Sequence, residues 1–309
     1  MFILFVIFFV MFFIASLFYL LNALGNVAQG VFIKYYTFDV DLYQFILLRS
    51  IISIVLLLPF AFKFFNLYSN NSALKINIII SICSCLDTFL WNTGLKNTPV
   101  NIGTLILLLV PIWIVILSRL ILKEKEESFF NISVLLLCLI GVIFSIGKDL
   151  YFVDDQFNFT IGPFLIFINT IVIAFSLVLQ KKFSTVRPLP FALFSNNLML
   201  LVFMLFASKF TLPELTIKTM LFALMIAIFD IFEYLGVYVA YQMVPLVWLQ
   251  PLRFIRIPIS IALSYAFLNE SITFYQFVAI SVIISSNSLL FINRFCVYLK
   301  NKKLKNNTI

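Results

Sequence analysis

The sequence contains no histidine and only 4 cysteines in 309 residues. The first absence removes histidine metal sites, haem ligation through histidine and Ser-His-Asp catalysis. The second leaves too little, too widely scattered, for a disulfide framework. Charge is scarce as well, at 11% of the chain, where soluble domains carry about 25%. No GxxxxGK[ST] phosphate loop occurs, so an ATP-driven engine would have to sit on another chain. What fills the sequence is apolar: 63% hydrophobic residues, 39 of them phenylalanines, and a mean hydropathy of +1.12. A soluble enzyme, a disordered chain and a fibre are excluded. A polytopic membrane protein remains.

A spanning helix needs about 20 apolar residues. Uncharged runs punctuated by Lys, Asp, Glu, Pro and Asn predict spans near 10–33, 42–62, 76–95, 100–122, 129–147, 161–180, 189–208, 218–241, 244–267 and 273–293. Residues 1–33 hold no charge, lack a basic leader and a small-residue cleavage site, and read as one overlong first helix. The apolar runs are continuous, whereas barrel strands alternate, so a transmembrane barrel fits poorly. With the N-terminus inside, cytoplasmic segments carry Lys63, Lys75, Lys123, Lys125, Lys181, Lys182, Arg187 and the basic tail from Arg294 to Lys305. Outside segments carry only Lys34, Lys96, Lys148, Lys209 and Lys218. The positive-inside rule therefore places both termini in the cytoplasm, and the net charge of +8 is mainly a topology signal. No segment offers a basic soluble face for nucleic acid.

Sliding the sequence along itself brings Asn22 onto Asn169, Lys34 onto Lys181 and Pro111 onto Pro258 at one offset, and Asp87 onto Glu233 and Glu124 onto Glu270 one residue earlier. Five spans per half force the second copy to enter from the opposite side, which is the inverted-repeat plan of many carriers. The segment TPVNIGTLILLLVPIWIVILSRLILKE (98–124), with Pro111 inside and Glu124 closing it, resembles the fourth helix of the drug/metabolite transporter superfamily in its EamA-like branch. QPLRFIRIPISIALSYAFLNESITFYQ (250–276), with Pro251 and Glu270, resembles the ninth helix, and LLRSIISIVLLLP (47–59), with Arg49, the second. The resemblance implies small-metabolite transport driven by gradients without ATP. The chain departs from it in lacking the acidic first-helix residue of the four-helix multidrug members, and in Asn269 and Lys123 where many relatives have glycine.

Ionisable groups at membrane depth normally face a cavity or a partner, because insertion scales set their cost at about 2.5–3.5 kcal/mol each. Arg49, Asp87, Asp230 and Glu233 lie well inside apolar runs. Asp230 and Glu233 share a face of the eighth span, Asp87 takes the related place in the third, and Arg253 and Arg256 share a face in the ninth. Together they form a centre of both signs, suited to a zwitterionic solute, with one carboxylate as a candidate proton carrier. Internal salt bridges holding the helices in register account for the same residues. The first span adds the stripe Asn22, Asn26 and Gln29, and the sixth echoes it with Asn169, Ser176 and Gln180. Pore lining and plain helix–helix hydrogen bonding both explain such a stripe. Of the aromatics near the acids, Phe89, Trp91, Tyr234, Tyr238, Tyr241 and Trp248 are placed to stack on a solute, although lipid-facing positions are the commoner use. Pro111, Pro245, Pro251 and Pro258 are expected to kink or interrupt helices, and the ninth span, with its prolines and two arginines, is the expected moving gate.

The expected architecture is thus all-α and polytopic, about ten transmembrane helices in two inverted five-helix repeats. The first repeat covers 1–147, an external linker 148–160, the second repeat 161–293, and a basic cytoplasmic tail 294–309. The function expected is a secondary carrier of an amino-acid-like or nucleoside-containing metabolite in the inner membrane, S-adenosylmethionine being the first compound to test. Its partners would be the lipid bilayer, the solute and a coupling ion or proton, with no cofactor or metal, and homodimerisation left open. The rivals are a membrane-embedded enzyme such as a lipid-linked glycosyltransferase, using Asp39 with Asp41 or Asp154 with Asp155, and a non-transporting assembly subunit.

Overall fold

The structure is a computed structural model and describes residues 2–37, 40–69, 71–122, 161–183, 187–244, 253 and 255–271, with single positions at 140, 249, 274, 277, 278, 280–282 and 285. Helices follow one another as α1 (Phe2–Tyr36), α2 (Leu42–Ala61), a 3-10 segment (Phe62–Ser69), α3 (Asn71–Lys96), α4 (Val100–Leu107), α5 (Val110–Ile121), α6 (Ile161–Lys182), α7 (Leu189–Ala207), α8 (Ile217–Met243) and α9 (Arg256–Leu268). Seven stretches are long and apolar enough to cross a membrane, Met11–Tyr36, Leu42–Phe65, Leu74–Lys96, Val100–Ile121, Ile161–Lys182, Leu189–Ala207 and Ile217–Met243. They fall on seven of the expected spans. The expected spans at 129–147 and 273–293 lie, apart from single positions, outside the described residues.

Local chemistry explains where these helices start, break and stop. The 35 residues of α1 make a rod of roughly 52 Å, well beyond the hydrocarbon thickness. Asp41 caps α2, its carboxylate accepting from the backbone of Tyr43 at 2.9 Å and Gln44 at 3.0 Å. A carboxylate weighed as catalytic therefore serves a helix end. Pro111 splits the fourth expected span into α4 and α5, because it has no N–H for the Leu107 carbonyl. The backbone tightens there into i→i+3 bonds, from Leu108 to Leu105, Leu109 to Ile106 and Ile112 to Leu109, each at 3.0 Å.

The ninth expected span is not one helix from 244 to 267. Val244 is extended, with φ −140° and ψ 157°, Arg253 and Ile255 lie in 3-10 turns, and α9 runs for 13 residues from Arg256. Pro258 sits in its first turn, where a missing N–H is tolerated. Asn269 ends the helix in the left-handed region at φ 55°, the one conformation there for which asparagine is a fair substitute for glycine. Pro245 and Pro251 lie outside the described residues.

Helices before residue 122 pack chiefly on helices after residue 161. α1 runs along α8, α3 along α6 and α2 along α7, while α1 also meets α9, α4 and α5 meet α6, α2 meets α8 and α3 meets α7. The α1–α8 pair is antiparallel, with Gln29 level with Asp230 and Asn26 with Glu233. Two glycines let the backbones touch: Gly236 lies against the Phe18 carbonyl and Asn22, and a Cβ on Gly25 would stand 2.6 Å from the Phe229 carbonyl oxygen. Large apolar side chains such as Leu17, Val55, Phe60, Leu120 and Leu221 point outward and stay exposed, as a lipid-facing surface requires. Alanine at Gly25 should lower stability by about 1–3 kcal/mol through overpacking, read as a drop in thermal unfolding temperature in detergent. Alanine at Gly30 should cost less, since its Cβ would meet only side-chain atoms of Leu95 and Trp91 at 3.2–3.3 Å.

Candidate functional site

The polar stripe of α1 is aimed at the acids of α8. Asn26 Nδ2 donates to Glu233 Oε1 at 2.8 Å, Gln29 Nε2 to Asp230 Oδ1 at 3.2 Å, and Asn22 Nδ2 to the Glu233 backbone carbonyl at 2.8 Å. The same chemistry recurs between α6 and α3, where Asn169 Nδ2 donates to Asp87 Oδ1 at 3.0 Å. Gln180 does not reach an acid and instead donates to Ser176 Oγ within α6, at 3.0 Å. Neutral amides disperse part of a carboxylate's charge without neutralising it. Asp87 and Glu233 keep part of their surface accessible, whereas Asp230 is buried.

Asp230 is met from three sides. Arg49 of α2 forms an ion pair with it at 3.4 Å, Gln29 adds its amide, and Asn197 of α7 approaches Oδ2 at 3.5 Å. Arg49 and Asp230 are almost fully enclosed, so the pair draws four helices to one point. Arg253 and Arg256 lie where the chain enters α9. Arg253 lies in the 3-10 turn before α9 and Arg256 is the first residue of α9, yet both are buried. Arg256 Nη2 donates to Asn22 Oδ1 at 2.6 Å. Electrostatic coupling links Arg256 to Glu233, and Asp87 to both arginines. A centre of both signs is thus assembled from α1, α2, α3, α8 and the start of α9.

The aromatic candidates divide. Tyr234 lies in electrostatic range of Asp87, Asp230 and Glu233. Trp91 is wedged into the main core beside Gly30 and Gly103, and Phe89 stacks with Tyr43 and Phe203 away from the acids. Tyr238 donates to the Arg187 carbonyl at 2.9 Å. Trp248 lies outside the described residues.

Two polar clusters escaped the reading of the sequence. Arg187, expected in a cytoplasmic connection, is buried and donates to Asn77 Oδ1 at 2.6 Å, Ser81 Oγ at 3.1 Å and Asn196 Oδ1 at 2.5 Å. At the opposite end of the bundle Lys34 pairs with Glu270 at 2.9 Å and donates to the Thr98 carbonyl at 2.6 Å. Glu270 Oε2 also accepts from the Val100 backbone at 2.8 Å, which closes the last turns of α1 and α9 onto the start of α4. Tyr19 was missed too, although it extends the stripe of Asn22 by one turn.

Among the described residues, seven helices of membrane length packed around a charged centre define a multi-pass membrane protein. Residues 13–147 match the EamA-like transporter family. That first part of the chain is similar to EamA-like transporters, membrane proteins of the drug/metabolite transporter superfamily. No curated protein matches the chain. A solved crystal structure superposes with a TM-score of 0.61 over 92% of this chain and 96% of the other at 13% sequence identity, a likeness of fold alone.

The Arg49–Asp230 pair generates a stability test. Arg49→Met alone should destabilise by about 3–5 kcal/mol, because it strands a buried carboxylate. Adding Asp230→Leu should recover most of the loss, since an apolar pair of similar volume needs no partner. Thermal unfolding of the purified single and double variants reads the difference.

Proposed function

We propose that the chain is a secondary carrier that binds a small zwitterionic, amino-acid-like or nucleoside-containing metabolite at the charged centre and moves it by alternating access between two inverted repeats, 1–147 and 161–293. The observation that carries this reading is the crossing of amides and acids between the halves. Asn26 of the first half meets Glu233 of the second, and Asn169 of the second meets Asp87 of the first. Exchange of the halves also relates α1–α8 to α6–α3, and α2–α8 to α7–α3, among the observed packings. A solute held by groups from both halves is released when one half rocks against the other. Only differential binding to the two facing states can drive that change.

The partly accessible carboxylates Asp87 and Glu233 would meet the positive group of the solute, and one of them would carry a coupling proton. The extended backbone at Val244 and the 3-10 turns at Arg253 and Ile255 support the gate assigned to the ninth span. The orientation follows the basic residues, with both termini cytoplasmic in an inner membrane, the linker 148–160 outside and the tail 294–309 inside. A homodimer is compatible with the broad apolar exterior. S-adenosylmethionine, which combines both substrate classes, is the first compound to assay.

The enzyme alternative loses support from Asp41, whose carboxylate is committed to the backbone of α2. Asp39, Asp154 and Asp155 lie outside the described residues. The test is uptake of labelled metabolites into proteoliposomes. Asp87→Asn with Glu233→Gln should cut transport at least about tenfold, the equivalent of one charged hydrogen bond, while the unfolding temperature stays close to that of the parent. Unchanged transport by this double variant would sink the assignment of the centre.

A further inference from the structure

Beside the acids lies a group of buried donors that is only partly satisfied. Tyr19 is 0% exposed and its hydroxyl has no hydrogen-bond partner, while the hydroxyl of Tyr241, 7% exposed, lies against Arg253. Arg253 is 2% exposed, with Nε and Nη1 unpartnered, and Arg256 Nε is unpartnered as well. These residues come from α1, α8 and the approach to α9, yet they lie together. Tyr241 interacts electrostatically with Tyr19, Arg253 and Arg256, and Arg256 with Arg253, Tyr19 and Glu233. Among the described residues the only ion pairs within 4 Å are Lys34–Glu270 and Arg49–Asp230, so no carboxylate touches either of these arginines. Guanidinium N–H groups only donate, and a tyrosine hydroxyl donates readily, so the missing partner is an acceptor of negative charge.

The positions related to these by the internal offsets are filled without such polarity. At the offsets that bring Asn22 onto Asn169, Asp87 onto Glu233 and Pro111 onto Pro258, Tyr19 corresponds to Ile166, Tyr241 to Leu95, Arg253 to Ile106 and Arg256 to Leu109. All four counterparts are buried aliphatic residues of the main core. One of the two related sets is a buried apolar cluster, and the other consists of two phenols and two guanidiniums. Buried charge of this kind is commonly neutral or costly for stability compared with apolar packing. Its use is therefore sought in binding.

We propose that Tyr19, Tyr241 and Arg253 form the seat for the carboxylate of the transported solute, with Arg256 held beside it by Asn22. This deepens the carrier reading and rests on it. The substrate is then a zwitterion with a fixed orientation, its carboxylate towards the start of α9 and its ammonium towards Asp87 and Glu233. Neutral analogues and simple amines are discriminated against at the carboxylate end. The seat is enclosed in this conformation, and solute reaches it when the halves part.

The test is uptake and competition by the full chain in proteoliposomes with S-adenosylmethionine, methionine, glutamine and leucine, each beside its carboxamide, which removes the negative charge alone. The acid form should be preferred at least about tenfold over the carboxamide, the worth of a charged hydrogen bond. Tyr19→Phe and Tyr241→Phe delete only a hydroxyl each, so they should leave folding intact and narrow that preference. Arg253→Gln should abolish it. Equal handling of acid and carboxamide by the parent protein, or an unchanged preference in all three variants, overturns the seat and leaves the carrier reading standing. No movement of any compound in the panel overturns the amino-acid-like reading and the seat with it.

Discussion

A carboxylate inside an apolar bundle has to be met by fixed dipoles or by an opposite charge, because no bulk water is there to do it. That demand organises the molecule. Asp230 draws Gln29, Arg49 and Asn197 towards itself from α1, α2 and α7. Glu233 fixes Asn26, and through its carbonyl Asn22, so that α1 can approach α8 only in one register. The glycine contacts at Gly25 and Gly236 follow from that register and permit it. Without close backbones the short amide side chains would fall short of the acids. Small residues and polar residues therefore act jointly, as they do in other membrane helix pairs.

The two ends of the bundle are held differently from its middle. Arg187 is satisfied by neutral oxygen atoms of Asn77, Ser81 and Asn196, which ties the start of α7 to α3. Lys34 and Glu270 form a true ion pair that also holds the backbone of Thr98 and Val100. In between, the carboxylates of Asp87 and Glu233 are hydrogen-bonded by amides alone and stay partly accessible. Charges that are already cancelled serve as fasteners. Charges that are only partly met are the ones on which the proposed solute site rests.

Much of the centre was legible in the sequence because helical spacing is local. Asp230 and Glu233, three apart, and Asn22, Asn26 and Gln29, at intervals of four and three, had to lie on single faces. The pairing of Asn169 with Asp87 was not legible there and comes from the packing of α6 on α3. Arg187 was misplaced because its sequence context, after Lys181 and Lys182 and before Pro188, is that of a loop. Its burial depends on Asn77, 110 positions away, and no periodicity carries that information. Glu270 matched a family motif, but its partner Lys34, 236 positions away, was legible only as a flanking charge.

The packing of early helices on late ones bears on how the chain is made. When α1 enters the bilayer, the helix that will receive Asn22, Asn26 and Gln29 has not been synthesised, because α8 begins only at Ile217. The same is true of Arg49, whose carboxylate arrives 181 residues later. For most of translation these groups must be sheltered by the insertion machinery, by each other or by water at the interface. Biogenesis, more than the final fold, therefore limits how many polar groups the early helices can carry. A nascent chain arrested before α8 would be a substrate for membrane quality control rather than half of a working carrier.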